Sequence, residues 1–276
     1  MTVRQITGHD GVRLEVTDLG PADAPPIVLI HGYSQAALSW QRQHRLAGDF
    51  RLIIPDLRGH GASEKPSNSE AYTSSAWASD IAAILSALAL DKPILVGWSM
   101  GGWVLGDYIR HHGDDAISGF ALIGSSVTTG DALPAGDLQR RGNDADVVAK
   151  PMIEDDLAEG LAATVRFVRA CFHQQPESDD LALMVGFNTL CPPIVRRHCR
   201  SRNEDFRPDY AKTRVPALAL RGVHERLSLA DMHAQILETL PRATSIEYEN
   251  SGHAPFWEEA DRFNQDLAAF AKEARP

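Results

Sequence analysis

The stretch Ile94-Leu95-Val96-Gly97-Trp98-Ser99-Met100-Gly101-Gly102-Trp103-Val104-Leu105-Gly106-Asp107-Tyr108-Ile109 joins a short apolar run to a segment that reads as a helix, through a serine flanked by glycines. The run at 94–96 has the character of a strand buried on both faces of a parallel sheet. A serine on so tight a strand-to-helix turn sits in a strained backbone conformation, and its neighbours must be glycine to avoid steric collision. The helix start also aims free N–H groups toward the serine oxygen. The bare pattern Gly97-x-Ser99-x-Gly101 fits a random window about once in three thousand, so alone it reads equally as a glycine-rich turn with an incidental serine. The strand before it and the helix after it turn it into a candidate nucleophile.

Outward from this stretch, similar apolar runs recur at 27–30, 51–54, 120–123 and 217–220, separated by segments of helical periodicity. Alternating β and α units of this kind imply a parallel sheet covered on both faces. Val12, Leu14 and Val16 alternate in the strand sense, so strands are expected at 2–7 and 12–18. Apolar spacing predicts a helix over 74–90 and a final amphipathic helix over 256–272. From 128 to 210 the rhythm changes to helical spacing interrupted by prolines, which predicts a helical cap insertion. Residues 1–127 and 211–276 then form the core domain.

A chain of 276 residues is long enough for one such domain with an insertion. Apolar residues at 43% and charged residues at 23% match an ordinary folded protein and argue against disorder. A formal net charge of −10 disfavours nucleic acid or an anionic membrane surface as a partner. The first residues lack a basic start followed by an apolar core, and no run is long enough to span a bilayer, so a cytoplasmic location is expected. Cys171, Cys191 and Cys199 are odd in number and confined to one region, which predicts buried free thiols rather than a disulfide framework. No spacing among them and His198 supports a metal site.

Serine needs a general base, held in one tautomer by a carboxylate. Of eleven histidines, His253 is the best placed, because it follows the strand-like 244–248 and precedes the last helix. A loop there reaches back over the carboxyl ends of the strands, where open α/β sheets carry their sites. His111, His112, His173 and His224 read as surface or loop residues. The acid should fall between Ser99 and His253 in chain order. Glu225, just beyond strand 217–220, is the first choice; a surface glutamate paired with Arg221 or Arg226 is the competing reading, and Asp209 and Asp231 are alternatives. For an oxyanion, the backbone N–H groups of Met100 and of Tyr33, after Gly32, are the candidate donors. His31 reads as a structural hydrogen-bonding residue. Trp98, Trp103 and Phe172 are candidates for an apolar pocket, although aromatic residues at helical spacing serve equally well as core.

Together, His31-Gly32 after the third strand, Asp56-Leu57-Arg58-Gly59-His60-Gly61-Ala62-Ser63 after the fourth, Gly97 to Gly102 and Gly252-His253 resemble the α/β-hydrolase superfamily. The resemblance covers nearly all of the chain outside the segment between 128 and 210. It implies an α/β-hydrolase fold, with a mostly parallel eight-stranded sheet, helices on both faces, a helical cap and no cofactor. Glu225 stands where that family commonly has aspartate. Serine rather than aspartate at 99 argues against the dehalogenase and epoxide-hydrolase branches. The chain is similar to the esterase and perhydrolase branch once called non-haem haloperoxidases and to small lactonases. The function this implies is a serine hydrolase cleaving small carboxylic esters or lactones through an acyl-enzyme. Peracid formation, carbon–carbon hydrolysis or lysis, and a hydrolase-like binding protein are the alternatives, and self-association into a homo-oligomer is left open.

Overall fold

A computed structural model describes residues 1–144, 147, 150–154 and 156–275, and for 138, 141, 142, 150 and 151 the backbone alone. Residues 145, 146, 148, 149 and 155, within the segment expected to form the cap, lie outside the described residues. Eight strands form one sheet: β1 (Thr2–Thr7), β2 (Arg13–Leu19), β3 (Pro26–Ile30), β4 (Arg51–Pro55), β5 (Ile94–Trp98), β6 (Gly119–Ile123), β7 (Ala217–Gly222) and β8 (Thr244–Tyr248). Their spatial order is β1-β2-β4-β3-β5-β6-β7-β8. β1 and β2 are antiparallel additions at one edge, and every pairing from β4 to β8 is parallel.

Burial explains the composition of these strands. All residues of β3 to β6 are buried, and covering both faces requires apolar side chains on both. β2 has one face buried and alternates accordingly, with Leu14, Val16 and Asp18 turned inward. Asp18 is tolerated there because Arg51 Nε and Nη2 donate to its two oxygens at 3.0 and 2.9 Å, and these bonds hold its carboxyl below the usual range.

The order β4-β3-β5 reverses the direction in which the chain adds strands. It moves from β3 outward to β4, then returns to lay β5 on the other side of β3. Loops leaving the carboxyl ends of β3 and β5 therefore diverge and open a crevice between them. Ile30 pairs with Gly97, so the two strand ends are level there.

Helix α1 (Ser74–Ala87) buries Trp77, Ile81, Ile84 and Leu85 and is capped by the Thr73 hydroxyl, which accepts from the Ala76 amide at 3.3 Å. It packs beside α2 (Met100–His112), which leaves β5 directly. Between β6 and β7 run α3 (Ala135–Asn143), α4 (Leu157–Ala170), α5 (Ser178–Thr189), α6 (Pro193–Arg200) and α7 (Arg207–Tyr210). Among the described residues the extended pairing in this segment is one isolated bridge, Thr128 to Asp205. Helix α8 (Ala230–Thr239) connects β7 to β8. The helix expected over 256–272 is two helices, α9 (Pro255–Glu258) and α10 (Ala260–Glu273), because Glu259 takes φ −117° and ψ 48°. The break turns the Glu258 and Glu259 carboxylates back onto the loop at 250–252.

Candidate active site

Ser99 leaves β5 at φ 54° and ψ −119°, a conformation that costs a non-glycine residue about 1–3 kcal/mol. Hydrogen bonds from both sides hold it there. Its N–H donates to the Ile123 carbonyl at 2.8 Å, and its carbonyl accepts from the Gly102 amide at 2.9 Å and from Ser125 Oγ at 2.8 Å. The turn is also too tight for side chains on either flank. A Cβ at 97 would stand 2.6 Å from the Gly101 carbonyl oxygen, and one at 101 would stand 2.3 Å from that of Ile30.

The loop after β3 passes against this turn: a Cβ at Gly32 would lie 3.2 Å from that of Ser99. The buried His31 ring holds the loop, its Nε2 accepting from the Leu57 amide at 3.0 Å and its Nδ1 lying 2.9 Å from the Gly32 carbonyl. Burial lowers its pKa to about 4, so the ring is neutral at pH 7 and accepts at Nε2. Asp56 braces the same region from the next loop, accepting from the amides of Ala37 at 2.7 Å and Ala62 at 2.8 Å. The amides of Tyr33 and Met100, the first after Gly32 and the second at the first position of α2, donate to no protein group among the described residues.

His253 Nδ1 lies 2.7 Å from Glu225 Oε2, with both side chains almost wholly buried. An ionised carboxylate only accepts, so Nδ1 carries the proton and Nε2 keeps a lone pair. The other glutamate oxygen accepts from the Leu227 amide at 2.8 Å, which fixes the carboxylate's plane. Arg221 and Arg226 face elsewhere, toward Glu247 and Asp144 respectively. Asp209 is bound to Arg110 and Asp231 to Arg140. Glu225 is thus the acidic residue brought to His253, and Asp209 and Asp231 are not.

Ser99 and His253 line one cavity of about 60 Å³, together with Tyr33, Trp103, Phe167 and Leu227. Of the three pocket candidates, Trp103 reaches this cavity. Trp98 and Phe172 line a separate pocket of about 10 Å³ with Met184 and Phe256, away from Ser99. The reason lies in strand parity and hydrogen bonding. Trp98 is buried beside Trp40 and Phe256, and its Nε1 donates to the His253 carbonyl at 2.8 Å, so it supports the histidine loop from beneath.

Several residues at the site carry little signal in the sequence. Gly124 has φ +49°, and a Cβ there would stand 2.9 Å from His253 Nδ1 and 3.0 Å from Glu225 Oε2. Its position just past β6, a strand-end glycine, is the clue that was available. Ser228 Oγ donates to the Ser125 carbonyl at 2.5 Å and braces the loop that backs Ser99. Glu258 accepts from the amides of Gly252, His173 and Gln174, each at 2.7 Å, tying the His253 loop to the chain just beyond α4. Burial nevertheless pushes its pKa up to about 7. His111, His112, His173 and His224 are exposed, and the last two stack on each other with ring centres 3.6 Å apart. All three cysteines are buried and unpaired. Among the described residues no helix is long and apolar enough to cross a membrane.

Comparison with known proteins agrees with this architecture. The family described as alpha/beta hydrolase fold matches residues 25–260. A candidate aryl esterase from Burkholderia cenocepacia is 34% identical, with a TM-score of 0.88 over 99% of each chain. The esterase RhEst1 from Rhodococcus sp. ECU1013 is 28% identical, with a TM-score of 0.89 over the full length of both. A non-heme chloroperoxidase from Streptomyces lividans is 26% identical over 97% of this chain and 99% of its own.

Proposed function

The chain belongs to the α/β-hydrolase family, and from that premise we propose that it hydrolyses carboxylic esters through a Ser99-His253-Glu225 triad. The carrying observation is the buried 2.7 Å contact of His253 with Glu225 on the cavity that Ser99 also lines. Esterase-like relatives of full length support hydrolysis of esters in general.

In this mechanism His253 Nε2 takes the Ser99 proton as Oγ attacks the carbonyl carbon. Glu225 holds the ring in the required tautomer and stabilises the imidazolium that forms. The tetrahedral oxyanion is received by the unpartnered amides of Tyr33 and Met100. Collapse expels the alcohol, which takes the proton from His253 and leaves an acyl group on Ser99. Water then enters and attacks the acyl carbon as His253 removes its proton; collapse breaks the bond to Ser99 Oγ, which takes that proton back from His253, and the acid is released. A lactone is an ester closed on itself and passes through the same steps.

The test uses p-nitrophenyl acetate. Ser99→Ala should lower kcat by roughly 10⁴-fold or more, and Glu225→Gln by roughly 10⁴-fold through loss of the productive tautomer. A fluorophosphonate should label wild-type Ser99, which separates an enzyme from a hydrolase-like binding protein. Near-normal turnover by Ser99→Ala would sink the proposal.

A further inference from the structure

The wall of the Ser99 cavity is apolar at Trp103, Phe167, Leu227 and Met232 and bears hydroxyls at Ser125, Ser126 and Ser228. Among the described residues that line it, Arg200 is the one with a fixed charge, and no carboxylate faces it there. Arg200 ends α6, is exposed to solvent and has no hydrogen-bonded or ionic protein partner among the described residues. In contrast, its neighbours Arg196 and Arg202 are both engaged, the first by the Asn188 and Met152 carbonyls and the second by Asp107. Tyr33 lines the same cavity, and its buried hydroxyl also lacks a partner. Burial keeps that phenol neutral, and Arg200 stands on the wall of the same cavity.

A neutral phenol and a guanidinium share one need: both have hydrogens to donate and no acceptor to receive them. An uncharged alkyl ester supplies no anion for the guanidinium and leaves it solvated at the cavity mouth. A carboxylate answers both donors, and Arg200 and Tyr33 line the same cavity as Ser99, so one substrate can meet all three. We propose that Arg200, aided by the Tyr33 hydroxyl, selects esters that carry a second, free carboxylate. This rests on the ester-hydrolase reading above and narrows its substrate class.

Two matched pairs test it, one for each half of the ester. Monomethyl glutarate is compared with the primary amide of the same half-ester, and O-acetylglycolate with its primary amide. In at least one pair kcat/KM should favour the carboxylate by about fivefold, carried by KM, as an ion pair with an exposed guanidinium allows. Arg200→Gln should bring that ratio to within about twofold, Arg200→Lys should keep part of it, and added salt should weaken it in the wild type. Equal rates within both pairs, or an unchanged ratio in Arg200→Gln, would overturn the proposal. Glutarate binding by calorimetry to Ser99→Ala provides a readout without turnover: binding that Arg200→Gln abolishes supports carboxylate selection even if neither ester is cleaved. Its absence in a chain that turns over neither pair overturns selection. Failure of the triad shows separately, as turnover that survives Ser99→Ala.

Discussion

Replacing Gly124 by alanine tests whether the contact between His253 and Glu225 organises the site. Two costs are separable. The first is backbone strain: φ is +49°, a region that costs a side-chain-bearing residue about 1–2 kcal/mol. The second is a collision, because the new methyl would stand 2.9 Å from His253 Nδ1, 3.0 Å from Glu225 Oε2 and 3.2 Å from His253 Cε1. All three are closer than ordinary van der Waals contact, so the imidazole or the carboxylate must retreat by several tenths of an ångström, and the 2.7 Å bond between them is where that movement falls. A displacement of that order in a reacting group costs up to about 10²-fold, and full loss of the orienting carboxylate about 10⁴-fold. Gly124→Ala should therefore lower kcat on p-nitrophenyl acetate by about 10- to 10²-fold and lower Tm by about 2–8 °C. Gly113→Ala is the control, because its φ is +70° but no atom lies within 4 Å of the added carbon. With ψ at −163°, a region that only glycine favours, it should lower Tm at least as much and leave kcat alone. If Gly124→Ala loses stability like the control yet keeps kcat within about threefold of wild type, the contact does not position the base and the reasoning fails.

Glu258 sets a pH dependence. Its pKa is raised from 4.5 to about 7 by burial, so the folded state holds this proton more tightly than the unfolded chain does. Its contribution to stability is then fully present below about pH 4.5 and is lost as pH rises through about 7. Urea melts across that window should show wild type losing stability relative to Glu258→Gln as pH rises; parallel profiles would refute it. A buried pair elsewhere gives a stability test remote from the chemistry. Arg58 and Asp80 have side chains 0% and 2% exposed and meet at 2.6 Å, and Asp80 also accepts from the His9 amide at 2.8 Å. Asp80→Ala strands the guanidinium and should cost about 3–5 kcal/mol by denaturant unfolding, with kcat of the folded fraction retained.

The sheet was legible because its cause is local. Strands buried on both faces must be apolar throughout, and β3, β5 and β6 announce themselves as unbroken runs between turn residues. Ser99 was legible for a related reason, since its flanking glycines are demanded by backbone atoms four to five residues away, or by the end of β3 next door. What stayed hidden depends on distant partners. Trp98 sits next to the nucleophile in sequence, yet alternation along β5 sends its ring beneath the site, against Trp40 and Phe256. Phe172 joins it there because the chain beyond α4 docks on the His253 loop. Gly124 and Glu258 owe their places to contacts across 101 or more and 84 or more residues of sequence respectively, except for Glu258 with Gly252. No short pattern encodes such contacts.

Those distant contacts converge on one short loop. The His253 amide donates to the Cys171 carbonyl at 2.9 Å, its carbonyl accepts from Trp98 at 2.8 Å, and Glu258 bonds at once to Gly252 and to the amides of His173 and Gln174. The histidine is therefore suspended between the sheet and the segment that follows α4. Any rearrangement of that segment must either break the His253–Cys171 backbone bond and the Glu258 bonds to His173 and Gln174, or carry His253 with it. The helices between β6 and β7 also supply Phe167 and Arg200 to the cavity wall. The part of the chain that shapes the cavity thus also holds the proposed base, and changes made there to alter substrate choice should shift kcat as well as KM.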